Sequence, residues 1–126
     1  MKGFLLDTHV LLWWLAEPER ISPNAYEVIA DPENALHVSA ASIWEASIKA
    51  TLGRLDLPAT LPDDMKQQGM EELAITSSHA LAIQRLPLLH QDPFDRMLIA
   101  QALMEELILI SADSIMARYD IEILQV

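Results

Sequence analysis

Short apolar segments alternate with segments of helical periodicity along most of the chain. The run "LILIS" (107–111) is almost wholly apolar and rich in Ile, which favours a buried strand, and "GFLLDTH" near the N-terminus has the same character. By contrast, the stretch 93–106 places Leu98, Ile99 and Ala102 on one face at helical spacing. This alternation is typical of a parallel sheet that is covered by helices on both faces.

Turn and capping residues set the limits of the predicted elements. Ser22 followed by Pro23 begins a helix, Gly53 ends one, and Ser77 or Ser78 caps another. No internal repeat or linker interrupts the pattern, so we expect a single domain over residues 1–126. The predicted strands are 3–9, 35–40, 71–76, 107–112 and 121–126; the predicted helices are 10–18, 22–31, 42–55, 61–70, 77–86 and 93–106, with a short helix or turn at 113–119.

Five acidic residues fall after predicted strands or near helix N-termini. Asp7 and Asp113 each follow a strand, Glu45 lies in the helix after the second strand, and Asp92 and Asp95 begin the helix that leads into the Asp113 strand. In α/β sheets, sites form outside the carboxyl ends of the strands, so these acids are candidates for one site. Each also has a simpler interpretation, since any of the aspartates could cap or start a helix and Glu45 could be solvated.

A cluster of these acids would need positive charge to offset it. Two carboxylates about 4 Å apart repel by roughly 1 kcal/mol in water and by several times that near a protein surface. Hard cations such as Mg²⁺ and Mn²⁺ prefer oxygen ligands. Convergence of the acids would therefore predict a divalent metal site, although spacing alone does not fix that convergence.

Composition narrows the class of protein. The chain has 8 basic and 19 acidic residues and a formal net charge of −11, which argues against a broad electrostatic grip on nucleic acid. It has no Cys, which excludes disulfides and thiolate metal sites. The apolar runs are too short to span a bilayer, and the N-terminus lacks the features of a signal peptide. We therefore expect a cytoplasmic protein that does not enter a membrane.

Four segments together resemble a known family. "LLDTHVLLWWL", "SAASIWEASIKATLGRL", "HQDPFDRMLIAQA" and "ISADSIMARY" are similar to the successive motifs of PIN-domain proteins, in particular the VapC-type toxins of bacterial type II toxin–antitoxin modules. The resemblance runs through nearly the whole chain in the expected order. It implies a three-layer α/β/α fold with a central, mainly parallel sheet, and a metal-dependent endoribonuclease that uses Mg²⁺ or Mn²⁺.

The resemblance also implies roles for individual residues. The resemblance implies cleavage products that carry a 5′-phosphate and a 3′-hydroxyl, and a metal ion that activates the attacking water. The last motif often reads Thr-x-Asp and here reads "SAD", which keeps the hydroxyl. The implied catalytic and metal-binding acids are Asp7, Glu45, Asp95 and Asp113; Thr8, Asp92 and Ser111 lie beside the site, with Asp92 interpreted as a cap or supporting acid.

Basic and histidine residues near the motifs have less certain roles. Arg96 could contact an RNA phosphate or pair with a neighbouring acid, and we favour the ion pair. Lys49 lies one turn after Glu45, so it could orient that acid or reach a phosphate. His90, like His37 and His79, lacks metal-ligand spacing and is predicted to be a structural or surface residue, whereas His9 is a candidate for the edge of the site.

Three functions remain to be compared. The resemblance favours a toxin that cleaves RNA, is inhibited by a cognate antitoxin and forms a homodimer. The alternative is a catalytically silent PIN-like module that acts through binding to its antitoxin, which the presence of all four acids disfavours. A phosphohydrolase of the haloacid dehalogenase class would need Asp-x-Asp after the first strand, and the chain has Asp7-Thr8-His9 there.

Overall fold

Strands and helices alternate as the sequence pattern predicts. The structure, a computed structural model, describes residues 2–126. Single turns of 3₁₀ helix lie at Pro18–Arg20, Ile83–Arg85 and Met116–Arg118. The strands are β1 (Phe4–Leu6), β2 (Leu36–Ser39), β3 (Met70–Leu73), β4 (Ile108–Ser111) and β5 (Ile123–Gln125); the helices are α1 (Thr8–Ala16), α2 (Pro23–Ala30), α3 (Ala40–Thr51), α4 (Leu61–Gln67), α5 (Ser77–Ala82) and α6 (Pro93–Met104).

The five strands form one parallel sheet in the order β3-β2-β1-β4-β5. In the centre, Leu6 of β1 lies opposite Val38 of β2 on one side and Ile110 of β4 on the other. The backbone N–H of Asp7 continues the β1–β4 pairing by donating to the carbonyl of Ile110 at 3.0 Å. Residues that follow β1, β2 and β4 therefore leave the sheet at the same edge.

Two hydrophobic cores lie on opposite faces of the sheet. Leu6 packs in the core beneath α1, α2 and α4, whereas its neighbour Leu5 packs in the core beneath α6. Successive residues of a strand point to opposite faces, so this division follows from the strand geometry. The arrangement confirms the predicted three-layer α/β/α fold with a central parallel sheet.

The capping residue of α5 differs from the sequence prediction. α5 begins after Thr76, and neither Ser77 nor Ser78 is its cap. The Thr76 hydroxyl accepts from the His79 backbone N–H, and His79 Nδ1 accepts from the Thr76 N–H in return. This reciprocal pair satisfies two N–H groups at the helix start, which a lone serine cap cannot do.

The helices α1 and α3 begin at Thr8 and Ala40, each two residues earlier than predicted, whereas two other predicted features are confirmed. Gly53 ends α3 with φ +73°, a backbone conformation that L side chains rarely adopt. The segment 113–119 forms a single 3₁₀ turn at Met116–Arg118. No helix within residues 2–126 is long and apolar enough to cross a membrane.

Candidate active site

Asp7 and Asp113 leave neighbouring strands and are joined by Ser111. The Ser111 hydroxyl donates to Asp7 Oδ2 at 2.5 Å and accepts from the Asp113 backbone N–H at 3.0 Å. Asp7 Oδ1 accepts from the Val10 N–H, and so Asp7 is also the N-cap of α1. Each aspartate thus uses Oδ1 to cap the turn that follows it, because Asp113 Oδ1 accepts from the Ile115 N–H at 2.7 Å. The capping and site interpretations are therefore compatible.

Glu45 projects from the middle of α3, whose N-terminus follows β2. Glu45 Oε2 lies 3.5 Å from Lys49 Nζ, one turn further along the helix. Glu45 Oε1 is fully buried and has no hydrogen-bond partner among residues 2–126. A buried carboxylate oxygen without a donor is costly, so this atom is available for an external positive group.

Asp92 and Asp95 begin α6 as the sequence predicts. Asp92 is the N-cap, and its Oδ1 accepts from the N–H groups of Phe94 at 2.8 Å and Asp95 at 3.0 Å. The Asp95 side chain accepts no backbone hydrogen bond among the residues described, and it is therefore free to point away from its own helix. Asp92 therefore fixes where α6 begins, and this determines the position of Asp95 in the first turn of the helix.

His90 lies between two of the predicted acids. Its Nε2 atom is 2.8 Å from Asp113 Oδ2, to which it is hydrogen-bonded, and 3.0 Å from Asp95 Oδ2. One ligand atom from each of these three residues lies within 4.8 Å of the others. The sequence predicts a structural or surface role for His90 and does not predict its contacts with Asp113 and Asp95. The signal available was its place two residues before Asp92, in the same segment as the acids.

The electrostatics reflect the crowding of acids. Burial and the negative charge of Asp92 raise the pKa of Asp95 to about 7, and the charges of Glu45 and Asp7 raise it further against the opposing effect of His90. Burial raises the pKa of Asp7, although hydrogen bonds from Ser111 and the Val10 N–H oppose this. The effects on Asp95 indicate that Asp7, Glu45 and Asp95 share one site, and Ser111 and His90 connect Asp113 to it.

The pKa of Asp113 shifts in the opposite direction to those of Asp7 and Asp95. Its burial would raise its pKa, but the hydrogen bonds from His90 and from the Ile115 and Met116 N–H groups outweigh burial and lower the pKa. Asp113 is therefore a stable anion at neutral pH. The site combines one firmly ionised carboxylate with a carboxyl group that titrates near neutrality.

Arg96 is not paired with an acid, which corrects the ion pair favoured above. It is 9% exposed, and within residues 2–126 no carboxylate lies within salt-bridge distance of it. Its guanidinium donates to the carbonyls of Ile83 and Pro87 at 3.1 Å and to that of His90 at 3.4 Å. The hydroxyl of Tyr119 also contacts this group and the Leu89 and His90 N–H groups. Arg96 points away from solvent, so a contact with RNA phosphate is also excluded in this conformation.

Thr8 and Lys49 occupy the rim of the site. The buried Thr8 hydroxyl donates to Ser42 Oγ at 3.0 Å, which joins the start of α1 to α3. Lys49 Nζ lies 3.3 Å from His9 Nε2 as well as near Glu45. Lys49 therefore pairs with Glu45, one of the two roles left open for it, and is partly exposed beside the acids.

The donor set fits a hard divalent cation. Asp7, Glu45, Asp95 and Asp113 supply oxygen atoms only, which is the ligand chemistry of Mg²⁺ and Mn²⁺. The unpartnered Glu45 Oε1 and the raised pKa of Asp95 both indicate that positive charge is lacking at this edge of the sheet. A bound cation would correct both features.

Replacing Arg96 with Ala is expected to lower the free energy of unfolding by at least about 1.5–3 kcal/mol, because buried carbonyls lose a charged donor. Chemical denaturation of the purified protein measures this. Arg85 is exposed, so Arg85→Ala is the matched control and should change stability by less than about 0.5 kcal/mol. Equal effects of the two substitutions would contradict the proposed support of the His90 segment by Arg96.

Asp95 is expected to make the metal-free protein less stable as the pH rises. Its pKa is about 7 when folded against an ordinary value of 3.8, so the folded state binds the extra proton and its stability falls between about pH 4 and pH 7. In EDTA at pH 8, the free energy of unfolding of Asp95→Asn should therefore exceed that of wild type by an amount on the order of a few kcal/mol. At pH 4 the two proteins should be similarly stable. The exposed Asp120→Asn should show no such trend; a pH-independent difference for Asp95→Asn would contradict the raised pKa.

Comparisons with known proteins agree with this fold. The sequence profile of the PIN domain matches residues 4–122. Ribonuclease VapC22 of Mycobacterium tuberculosis is 34% identical over 106 residues, which cover 82% of this chain and 81% of the relative.

Solved structures with the same fold include VapBC2 from Rickettsia felis, bound to a fragment of promoter DNA, and DNA-bound VapBC from Salmonella typhimurium. The first has a TM-score of 0.72 at 13% identity and covers 97% of each chain. The second has a TM-score of 0.72 at 14% identity and covers 99% of this chain and 98% of that one. Given the match over nearly its full length and a relative of this identity, the chain belongs to the PIN domain family.

Proposed function

We propose that this protein is a metal-dependent endoribonuclease and the toxin of a type II toxin–antitoxin module. One observation carries the proposal: Asp7, Glu45, Asp95 and Asp113 meet at the carboxyl edge of the sheet, with a buried Glu45 oxygen that lacks a donor. The relationship to a ribonuclease over most of the chain supports RNA as the substrate. The four acids are proposed as the catalytic and metal-binding residues.

The same acids would hold Mg²⁺ or Mn²⁺. When bound, such an ion supplies an acidified water and stabilises negative charge at phosphorus during an in-line displacement. Glu45 Oε1 and Asp95 are proposed as the most direct contacts, because neither has a backbone donor. Asp7 and Asp113 have both oxygens hydrogen-bonded within the protein, Oδ1 by backbone N–H groups and Oδ2 by Ser111 or His90, so each would offer the cation only a remaining lone pair.

The protein's own residues would fix the acids and control their charge. Ser111 orients Asp7 and Asp113 together through two hydrogen bonds. Asp95, with a pKa of about 7, gives up its proton readily at neutral pH when a cation approaches. Lys49 partly neutralises Glu45 and lies at the exposed rim, where it is proposed to meet an RNA phosphate. With a net charge of −11, the chain needs these local cations to approach RNA.

The proposed antitoxin partner would occupy a groove beside the site. A groove of about 640 Å³ lies between α1, α4 and the segment 55–58, and His9 at its edge connects it to Lys49 and Glu45. The groove is largely apolar but has acidic residues at its rim, namely Glu17, Asp56 and Asp64. It therefore suits an antitoxin segment that carries apolar side chains and a basic residue. Solved relatives of this fold are VapBC assemblies, which supports such a partner.

The expected homodimer stays a prediction. On α3, Trp44, Ile48 and Leu52 follow one another at i, i+4 and i+8 and are all exposed, with Trp44 packed edge-on against Phe94. A contiguous exposed apolar stripe is a typical contact surface. A second copy of the chain is proposed to cover it.

Purified, partner-free protein is expected to cleave mixed cellular RNA with Mg²⁺ or Mn²⁺ and to lose cleavage in excess EDTA. Asp7→Asn should lose at least about 100-fold of the activity, because the buried acid beside Ser111 no longer offers a charged oxygen. Asp120→Asn makes the same change at an exposed acid away from the site and should cleave like wild type. Gel analysis of the fragments and their end groups measures both.

The same assay compares the alternatives. If folded, metal-loaded wild type cleaves transfer, ribosomal and messenger RNA no more than Asp7→Asn does, the result favours the catalytically silent binding module. Cleavage that survives EDTA would contradict metal dependence.

The groove assignment predicts a substitution that separates cleavage from inhibition. Leu15 lines the groove and is 37% exposed, so Leu15→Arg should fold, cleave RNA and resist inhibition by the antitoxin encoded beside the gene. Leu88 is 87% exposed and lies outside the groove, so Leu88→Arg is the control and should remain inhibited. Full inhibition of Leu15→Arg in a titration with the co-purified antitoxin would exclude this groove as the binding site.

A further inference from the structure

His90 is held in place by the protein on three sides. Its backbone N–H donates to the Tyr119 hydroxyl at 2.8 Å, and its carbonyl accepts from buried Arg96. Its ring is fixed separately, since Nδ1 accepts from the Asp92 backbone N–H at 3.1 Å. The imidazole therefore has a set orientation before any substrate or ion arrives.

The contact with Asp92 determines which ring nitrogen carries the proton. Nδ1 faces an N–H donor, so its lone pair must be free and Nε2 must be the protonated nitrogen. Nε2 points at Asp113 Oδ2, 2.8 Å away, and at Asp95 Oδ2, 3.0 Å away. His90 thus donates to Asp113 Oδ2, and Asp95 Oδ2 lies beside the same N–H group.

This orientation is unsuitable for direct metal binding. A histidine that binds a metal through Nε2 usually donates its Nδ1–H to a carbonyl or carboxylate. Here Nδ1 faces a donor, so binding a metal through Nε2 would put two hydrogens against each other at the Asp92 contact. The ring is built to hold the acids and not to bind the ion.

The acids differ in how much they depend on His90. Asp113 has its other oxygen held by the Ile115 N–H, whereas Asp95 has no backbone donor and is paired within residues 2–126 with His90 alone. Asp95 lies at the start of α6 and Asp113 after β4, so the imidazole is the group that bridges the two elements.

We propose that His90 is a positioning residue for the metal site: its Nε2–H donates to Asp113 and holds Asp95 alongside, so that the lone pairs of both carboxylates that the protein does not use face the divalent cation. The inference rests on the proposed metal-dependent function and adds to it a residue that acts through the acids. It requires no change in the charge of His90.

Mn²⁺ binding to the purified protein, followed by electron paramagnetic resonance of the free ion, tests this without an activity assay. His90→Ala should weaken Mn²⁺ binding by about 10–100-fold, the range found when supporting partners of metal ligands are removed. His90→Gln should recover most of the affinity, because its side-chain amide offers an N–H at a similar reach. His37→Ala, a histidine on β2 beside Gly3, should bind Mn²⁺ like wild type.

Several outcomes would overturn the inference. Equal or tighter Mn²⁺ binding by folded His90→Ala would mean that the imidazole does not position the acids, and tighter binding would mean that it occupies the place of the cation. Weak binding by both His90→Ala and His90→Gln would indicate a direct ligand. If neither variant folds, ¹⁵N NMR of the wild-type imidazole decides, because the inference needs protonated Nε2 and bare Nδ1.

Mn²⁺ binding by wild type, Asp7→Asn and His90→Ala distinguishes an error in the role of His90 from an error in the proposed metal site. If wild type binds no Mn²⁺, or if Asp7→Asn binds it equally well, the metal site itself is wrong. If wild type binds Mn²⁺, Asp7→Asn does not, and His90→Ala matches wild type, only the role of His90 is wrong.

Discussion

Repulsion among carboxylates is the constraint on which the rest of this structure depends. Four acids from separate segments meet at one edge of the sheet, and burial together with the charges of Asp92, Glu45 and Asp7 raises the pKa of Asp95 to about 7. The fold tolerates this because each of the flanking aspartates is anchored through one oxygen. Asp7 and Asp113 cap the turns after β1 and β4, and Ser111 links them. Backbone N–H groups thus replace part of the positive charge that the cluster lacks.

The anchoring explains why the helix-capping and catalytic interpretations of the sequence are not alternatives. A capping carboxylate needs only one oxygen for the backbone, and the second is then held in a fixed direction. Asp92 caps α6 outright and leaves Asp95, three residues later, with no backbone donor. Asp95 is therefore the acid whose pKa rises to about 7, first through burial and then through the charge of Asp92.

The sequence predicts the fold and the acids well because both depend on local pattern and topology. Short apolar strands that alternate with helices require a covered parallel sheet, and residues after adjacent strands share an edge. His90 and Arg96 were misjudged because their roles depend on contacts across the fold. His90 meets Asp113, 23 residues away, and Arg96 holds the carbonyls of an irregular segment whose path no periodicity fixes. Chain spacing carries little information about either contact.

Arg96 and His90 together show how an acidic site can be supported by a buried cation that never touches it. Arg96 satisfies the carbonyls of Pro87 and His90, which fixes the backbone of the segment, and Tyr119 fixes the N–H groups of Leu89 and His90. The rigid segment holds the His90 imidazole against Asp113 and Asp95, where its Nε2 donates to Asp113. Had Arg96 itself pointed at the acids, its fixed charge would have competed with the divalent ion for the same oxygens. The observed arrangement supports the segment beside the acids and keeps the Arg96 charge away from their oxygens.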